Sequence, residues 1–174
     1  MLRIPFEEVE ARLTSILRGL GFSAELGRLS ARLFAETTRD GVYSHGLNRF
    51  PRFVATIQNG SVDPAAEPRV VTRHGGIQRW DGQRGPGNLN AHAAMERAIA
   101  LAREHGIGCV AMGNTNHWMR GGTYGWQAAN AGVMGICWTN TMPNVPTWGG
   151  RLRLLKVISA SARKADAIFG RITT

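Results

Sequence analysis

Over the first 60 residues apolar side chains return every three or four positions, and between Pro64 and Pro68 that rhythm stops. Such spacing keeps one face of a helix apolar, whereas proline lacks the N–H and blocks the turn a continuing helix needs. The chain must therefore be helical first and something else afterwards. Phe6, Val9, Leu13, Ile16, Leu17 and Leu20 predict a first helix, opened by Pro5 with Glu7 and Glu8 in its first turn and closed by Gly19 and Gly21. Ser23 is placed to cap a second, which carries Leu26, Leu29, Leu33 and Phe34 on one side. Leu47, Phe50, Val54 and Ile57 predict a third, closed by Asn59-Gly60.

Beyond the prolines the pattern changes to short apolar runs. Arg69–Thr72 and Ile77–Asp81 flank His74-Gly75-Gly76, which predicts a hairpin. Asn88–His105 reads as an Ala-rich helix ended by Gly106, Ile107–Met112 as a strand, Gly122–Asn130 as a helix and Val133–Thr139 as a buried strand. That alternation suggests a parallel sheet. The glycines at 82, 85 and 87 come in the wrong order for Gly-x-Gly-x-x-Gly, so a dinucleotide bound here would need a fold other than Rossmann.

Composition narrows the classes further. With 43% hydrophobic and 19% charged residues, the chain can fill a core and is not a disordered tail. No stretch approaches the roughly 18–20 apolar residues of a membrane span. The start, Met1 to Glu8, turns acidic too early for a signal peptide. Cys109 and Cys137 lack metal-ligand spacing and read as buried, reduced thiols, which predicts a cytoplasmic protein without a metal site. The net charge of +9 raises the possibility of nucleic-acid binding. Residues 151–174 alone hold six basic groups against Asp166, a net +5, and the other 150 residues carry only +4. The body lacks a basic stripe, which weighs against that reading.

Two segments concentrate reactive side chains. The first is Tyr43-Ser44-His45-Gly46-Leu47-Asn48-Arg49. An imidazole on a flexible turn can deliver a proton near neutral pH, and a guanidinium four residues on can hold a carboxylate by two parallel hydrogen bonds. The structural alternative is that Ser44 caps the third helix and His45 bonds only locally. The second is Asn114-Thr115-Asn116-His117-Trp118-Met119-Arg120-Gly121-Gly122, where polar groups and a cation precede a helix N-terminus suited to an anion. Its structural alternative is an ordinary strand-to-helix loop with Trp118 and Met119 tucked into the core. Spacing leaves both alternatives open.

At these segments the sequence resembles the malate/L-lactate/ureidoglycolate dehydrogenase family. Gly41-Val42-Tyr43-Ser44-His45-Gly46-Leu47-Asn48-Arg49-Phe50-Pro51-Arg52-Phe53 is similar to its Ser-His-Gly segment. Asn116-His117-Trp118-Met119-Arg120-Gly121-Gly122-Thr123-Tyr124-Gly125-Trp126-Gln127-Ala128-Ala129 and Gly135-Ile136-Cys137-Trp138-Thr139-Asn140-Thr141 resemble its second and third motifs. The resemblance spans about residues 3–150. It implies reduction of a small 2-oxo acid by hydride from NADH or NADPH, in a homodimer. His45 would be the general acid and His117 an alternative proton carrier. Ser44 and Arg49 would hold the substrate, and Arg120 and Asn140 would contact cofactor or substrate. The implied fold is α+β, a helical segment followed by part of a non-Rossmann mixed-sheet nicotinamide-binding domain.

These readings divide the chain into a helical substrate and dimer segment (1–65), a partial nicotinamide-binding α/β domain (66–150) and a basic tail (151–174). After Trp148-Gly149-Gly150 the resemblance implies a cofactor-holding Gly-Thr-Asn-Pro-type loop and a further domain, where this chain reads Arg151-Leu152-Arg153-Leu154-Leu155-Lys156-Val157. The tail is expected to be a reading-frame accident, to leave Leu152, Leu154, Leu155, Val157 and Ile158 without a partner sheet or helix, and to leave the 174-residue chain inactive. The rival readings are a sibling acting on lactate, malate or ureidoglycolate, a non-catalytic remnant, and a basic nucleic-acid-binding module.

Overall fold

The computed structural model describes residues 3–140 and 157–162. The chain divides after Arg120 into two compact units. The first unit begins with α1 (Phe6–Gly19) and α2 (Ala24–Arg39), which run against each other. As expected, Ser23 caps α2, its hydroxyl accepting the Leu26 N–H at 3.1 Å. The third predicted helix is shorter than its apolar spacing suggested. Two 3-10 turns, Tyr43–His45 and Leu47–Arg49, precede α3 (Phe50–Gln58). The reason lies in Gly46, where a Cβ would collide with Thr38. The chain is pressed against α2 at that point, and the Leu47 N–H donates to Thr38 Oγ1 at 2.8 Å instead of starting a regular helix.

One apolar cluster holds these elements together. Leu13, Leu17, Phe22, Phe34, Phe50, Phe53, Ile57 and Val62 are buried in it. Phe34 meets Phe50 edge-on with ring centroids 5.1 Å apart and Phe53 at 5.2 Å. Burying each such ring contributes about 1.5–3 kcal/mol, and favourable ring geometry adds roughly 0.5–1.5.

The predicted hairpin is β1 (Arg69–His74) and β2 (Ile77–Asp81), antiparallel, with Gly75 in left-handed backbone at φ +51°. A crossover through α4 (Gly87–His105) brings β3 (Cys109–Gly113) parallel to β2, giving the sheet order β1-β2-β3. The predicted hairpin and the parallel pairing expected from the strand–helix alternation together make the mixed sheet that the resemblance implied. Buried Asn88 ties α4 to α2, donating to Ser30 Oγ at 2.8 Å. Asn90, also buried, donates to the Gly82 carbonyl at 2.9 Å and to Thr115 Oγ1 at 2.8 Å, so the loops that follow β2 and β3 are pinned to one helix start.

The second unit contains α5 (Gly121–Asn130), β4 (Gly135–Asn140) and β5 (Val157–Ala162). Gly135 and Cys137 are buried, and Gly135 packs against Ala128, so β4 turns its small residues toward α5. β4 pairs antiparallel with β5 from Asn140↔Val157 to Gly135↔Ala162. This corrects the expectation that Val157 and Ile158 would lack a partner sheet: β-branched residues suit a strand, and β4 offers them an open edge. Leu152, Leu154 and Leu155 lie outside the described residues. Cys137 is buried, and desolvation pushes its thiol up to about 11, as expected of an inert thiol. Cys109 is only half-buried, contrary to expectation. Among the described residues no helix is long and apolar enough to cross a membrane, and no group of side chains has the makings of a metal site.

Candidate functional site

The first unit brings the two predicted segments together. His45 ends the first 3-10 turn and His117 lies in the loop after β3, and their ring centroids stand 5.7 Å apart at an interplanar angle of 30°. Seventy-two positions separate them in sequence, so this pairing is a product of the fold.

The loop after β3 is held rigidly. Asn114 Nδ2 donates to Asp81 at 2.9 Å, Thr115 accepts from Asn90, and Asn116 Nδ2 donates to the Ser61 and Arg84 carbonyls at 3.3 and 3.2 Å. Asp81 also accepts the Gln83 N–H, and these bonds hold its carboxyl down to about 2. The polar side chains at 114–116 therefore serve the loop itself. Met119 has left-handed backbone at φ +69° and anchors its side chain in the apolar cluster. Trp118 is half-buried. The structural alternative thus describes part of this loop, and His117 and Arg120 are what it leaves for chemistry.

The two imidazoles have different environments. The Met119 N–H donates to His117 Nδ1 at 3.0 Å. A backbone N–H can only donate, so Nδ1 is unprotonated and the neutral ring carries its proton on Nε2. Desolvation, followed by the charges of Arg49, His45 and Arg52, holds the His117 pKa down to about 4. The residue is nevertheless solvent-exposed, so its ring is crowded on one side and wet on the other.

His45 Nδ1 lies 2.8 Å from Ser44 Oγ. A hydroxyl donates to a neutral ring and accepts from an imidazolium, so this contact is compatible with either protonation state. The structural alternative had Ser44 cap the third helix. Ser44 makes no such cap, because α3 starts only at Phe50 with Arg49 at its N-cap. Desolvation, then Arg49 and Arg120, lower the His45 pKa from its ordinary value.

Arg49 ends the second 3-10 turn, half-buried. Its pKa is lowered by desolvation and then by Arg52, yet guanidinium stays charged throughout the accessible pH range. Among the described residues no carboxylate lies within ion-pair distance of it. Arg120 differs: its Nη2 meets Asp40 Oδ2 at 2.6 Å. Asp40 was not singled out in the sequence. The available signal was an acid at the C-terminal end of a helix, where the dipole favours a base. Asn140 closes β4 in the second unit, its backbone paired with Val157; its side chain lies outside the described residues.

A family model described as malate/L-lactate dehydrogenase matches residues 4–156. The chain is 50% identical over 150 residues to a 2,3-diketo-L-gulonate reductase of Escherichia coli, covering 86% of this chain and 45% of that protein. Among solved structures it is similar to malate dehydrogenase from Pyrococcus horikoshii, with TM-score 0.88 and 30% identity over 99% of this chain and 49% of that one. Sulfolactate dehydrogenase from Methanocaldococcus jannaschii gives TM-score 0.90 and 29% identity, covering 99% and 51%. The chain spans about half the length of the relatives it matches.

Proposed function

The chain belongs to the malate/L-lactate dehydrogenase family, and from that premise we propose that its first unit is the substrate-holding and proton-transferring part of a nicotinamide-dependent 2-oxo-acid reductase. The observation that carries this reading is Arg49, a half-buried cation beside two imidazoles with no carboxylate partner among the described residues. A buried charge left uncompensated is costly, and a substrate carboxylate supplies the missing anion. Sequence identity with the diketogulonate reductase favours a sugar-derived diketo acid, 2,3-diketo-L-gulonate, over lactate, malate or ureidoglycolate.

When the substrate carboxylate pairs with Arg49, the 2-oxo group comes to the adjacent histidines. NADH or NADPH supplies the hydride in such a reaction. Of the two residues expected to hold it, Arg120 is turned to Asp40, and the side chain of Asn140 is not described. The steps assigned to the described residues concern substrate and proton alone.

As the carbonyl becomes a hydroxyl, its oxygen needs one proton. His45 suits this role because Ser44 can support both of its protonation states while Nε2 is left to face substrate. His117 does not, because protonating Nδ1 would set a donor against the Met119 N–H. Its Nε2–H instead serves as a neutral hydrogen-bond donor that polarises the carbonyl.

Oxamate, a carboxylate that mimics a 2-oxo acid, provides the test. Titrated into the 174-residue chain, it should shift the ring resonances of His45 and His117 in NMR spectra. Arg49→Lys should weaken binding about tenfold, since Lys keeps the charge but loses the two-pronged geometry. Histidine spectra indifferent to oxamate would overturn the reading. Turnover of a panel of 2-oxo acids with NADH and NADPH then ranks the substrates.

A further inference from the structure

An ion pair between Asp40 and Arg120 ties the two histidine-bearing loops together. Asp40 follows the last residue of α2 and is fixed there by its own N–H, which donates to the Glu36 carbonyl at 2.9 Å. Gly41 then takes left-handed backbone at φ +81°, and the Val42 N–H returns to the Thr37 carbonyl at 3.0 Å. The segment leading to His45 thus departs from a rigid helix end at a defined angle.

On the other side, Arg120 closes the loop that carries His117. Its side chain is only 19% accessible and its guanidinium meets Asp40 at 2.6 Å. Eighty positions separate the partners. A carboxylate at a helix C-terminus opposes the helix dipole by about 0.3–1 kcal/mol, so Asp40 is locally unfavourable where it stands. Arg39, at 3.7 Å, is more exposed and offsets it weakly. A residue that violates a local rule and is answered by a distant, largely buried cation is one whose place is set by the site.

We propose that Asp40 is a positioning residue, whose carboxylate clamps Arg120 and so keeps the loop bearing His117 against the loop bearing His45. This rests on the reading of the two histidine loops as the functional site. It assigns Arg120 to holding that site closed rather than to gripping a cofactor phosphate. The charge of Arg120 is felt at His45, which places the clamp within electrostatic reach of the proton carrier. Loss of the clamp would let the His117 ring turn away from His45 and open its crowded side to water.

The test is histidine NMR on the full 174-residue chain. The unaltered protein should show a ring-to-ring nuclear Overhauser effect between His45 and His117. In Asp40→Asn that effect should vanish and the His117 titration midpoint should rise by about one pH unit or more as water reaches the ring's crowded side. A carboxylate acting only through space predicts the opposite, because removing a negative charge lowers both histidines. Asp40→Glu, which keeps the charge, should retain the ring contact.

If Asp40→Asn does not fold, Arg120→Gln cuts the same pair from the other end and should give the same result. Persisting ring contact with an unraised His117 midpoint, in either folded variant, overturns the clamp. Should neither fold, the charge-swapped pair Asp40→Arg with Arg120→Asp decides: restored folding and ring contact support it, and failure to restore them overturns it. Oxamate titration of the unaltered chain tests the site reading separately. A site that ignores oxamate can still show or lack the clamp by ring contact.

Discussion

At the scale of single residues, the proposed proton transfer depends on which imidazole can change its protonation state. In a full-length protein made by joining this chain to the remaining half of a diketogulonate-reductase relative, His45→Ala should lower turnover by about 10²–10⁴-fold and leave cofactor binding nearly unchanged. His117→Ala should cost less and should act through kcat without abolishing the pH dependence that His45 imposes. Equal pH profiles for His45→Ala and the parent would move the proton to His117. The residue scale also fixes a stability effect. His117 titrates near its ordinary 6.5 when unfolded and at about 4 when folded. Above pH 6.5 both states are neutral and the shift has no effect; as pH falls toward 4 the unfolded chain binds the extra proton and folding weakens. His45 and His92, both lowered, act in the same direction. Urea unfolding should therefore show lower stability at pH 4.5 than at 7.5, with a smaller difference in His117→Gln. An identical difference in that variant would sink the assignment. That the candidate residues Ser44, His45, Arg49, His117 and Arg120 stand in two short polar segments was legible in sequence. The unequal roles proposed for them were not, since that proposal rests on one backbone N–H at Met119 and one carboxylate at Asp40, brought in by the fold.

At the scale of elements, sequence periodicity located helices and strands well wherever apolar spacing alone decides. It misjudged the start of α3, where close packing against Thr38 replaces a regular helix by two 3-10 turns. The parallel pairing read from the strand–helix alternation holds for β2 and β3, but it gave no sign that β4 would pair with β5 instead, because nothing local distinguishes a strand that extends a hairpin from one that opens a second sheet. The start of α4 shows how elements set the site. A Cβ on Gly87 would collide with the Asn116 carbonyl and lie 2.5 Å from that of His117. Alanine is the better helix former by up to about 1 kcal/mol, but overpacking against backbone costs roughly 1–3 kcal/mol. The clash should win. Gly87→Ala is thus expected to lower the urea midpoint and to displace the His117 ring resonances, whereas Gly113→Ala, with open space at the Cβ, should leave those resonances in place. A Gly87→Ala protein as stable as the parent, with its His117 signals unmoved, would show that α4 does not set the loop.

At the scale of the whole molecule, large apolar side chains lie open to solvent among the described residues of both units. Val71 and Ile77 on the three-stranded sheet are 45% and 54% accessible, and Ile107 before β3 is 70% accessible. On β4 the alternation that buries Gly135 and Cys137 turns Ile136 and Trp138 outward at 53% and 58%, next to Met134 at 59%. A strand pattern with one face packed on α5 and large apolar groups on the other is the pattern of a sheet covered on both sides. The relatives are about twice as long as this chain. Contiguous exposed apolar groups drive association or unfolding in water, because each buried side chain of this size recovers about 1.5–3 kcal/mol. The 174-residue chain should therefore self-associate with rising concentration and bind a hydrophobic dye. The double substitution Ile136→Lys with Trp138→Lys should reduce both effects without loss of the circular-dichroism helix signal, since the outward face contributes nothing to the α5 contact. Supplying the remaining half of a full-length relative as a separate chain should do the same by covering that face. Sedimentation velocity decides the matter: a monomer at every concentration, with no dye bound and no response to the added half, would mean that these faces are adapted to water as they stand.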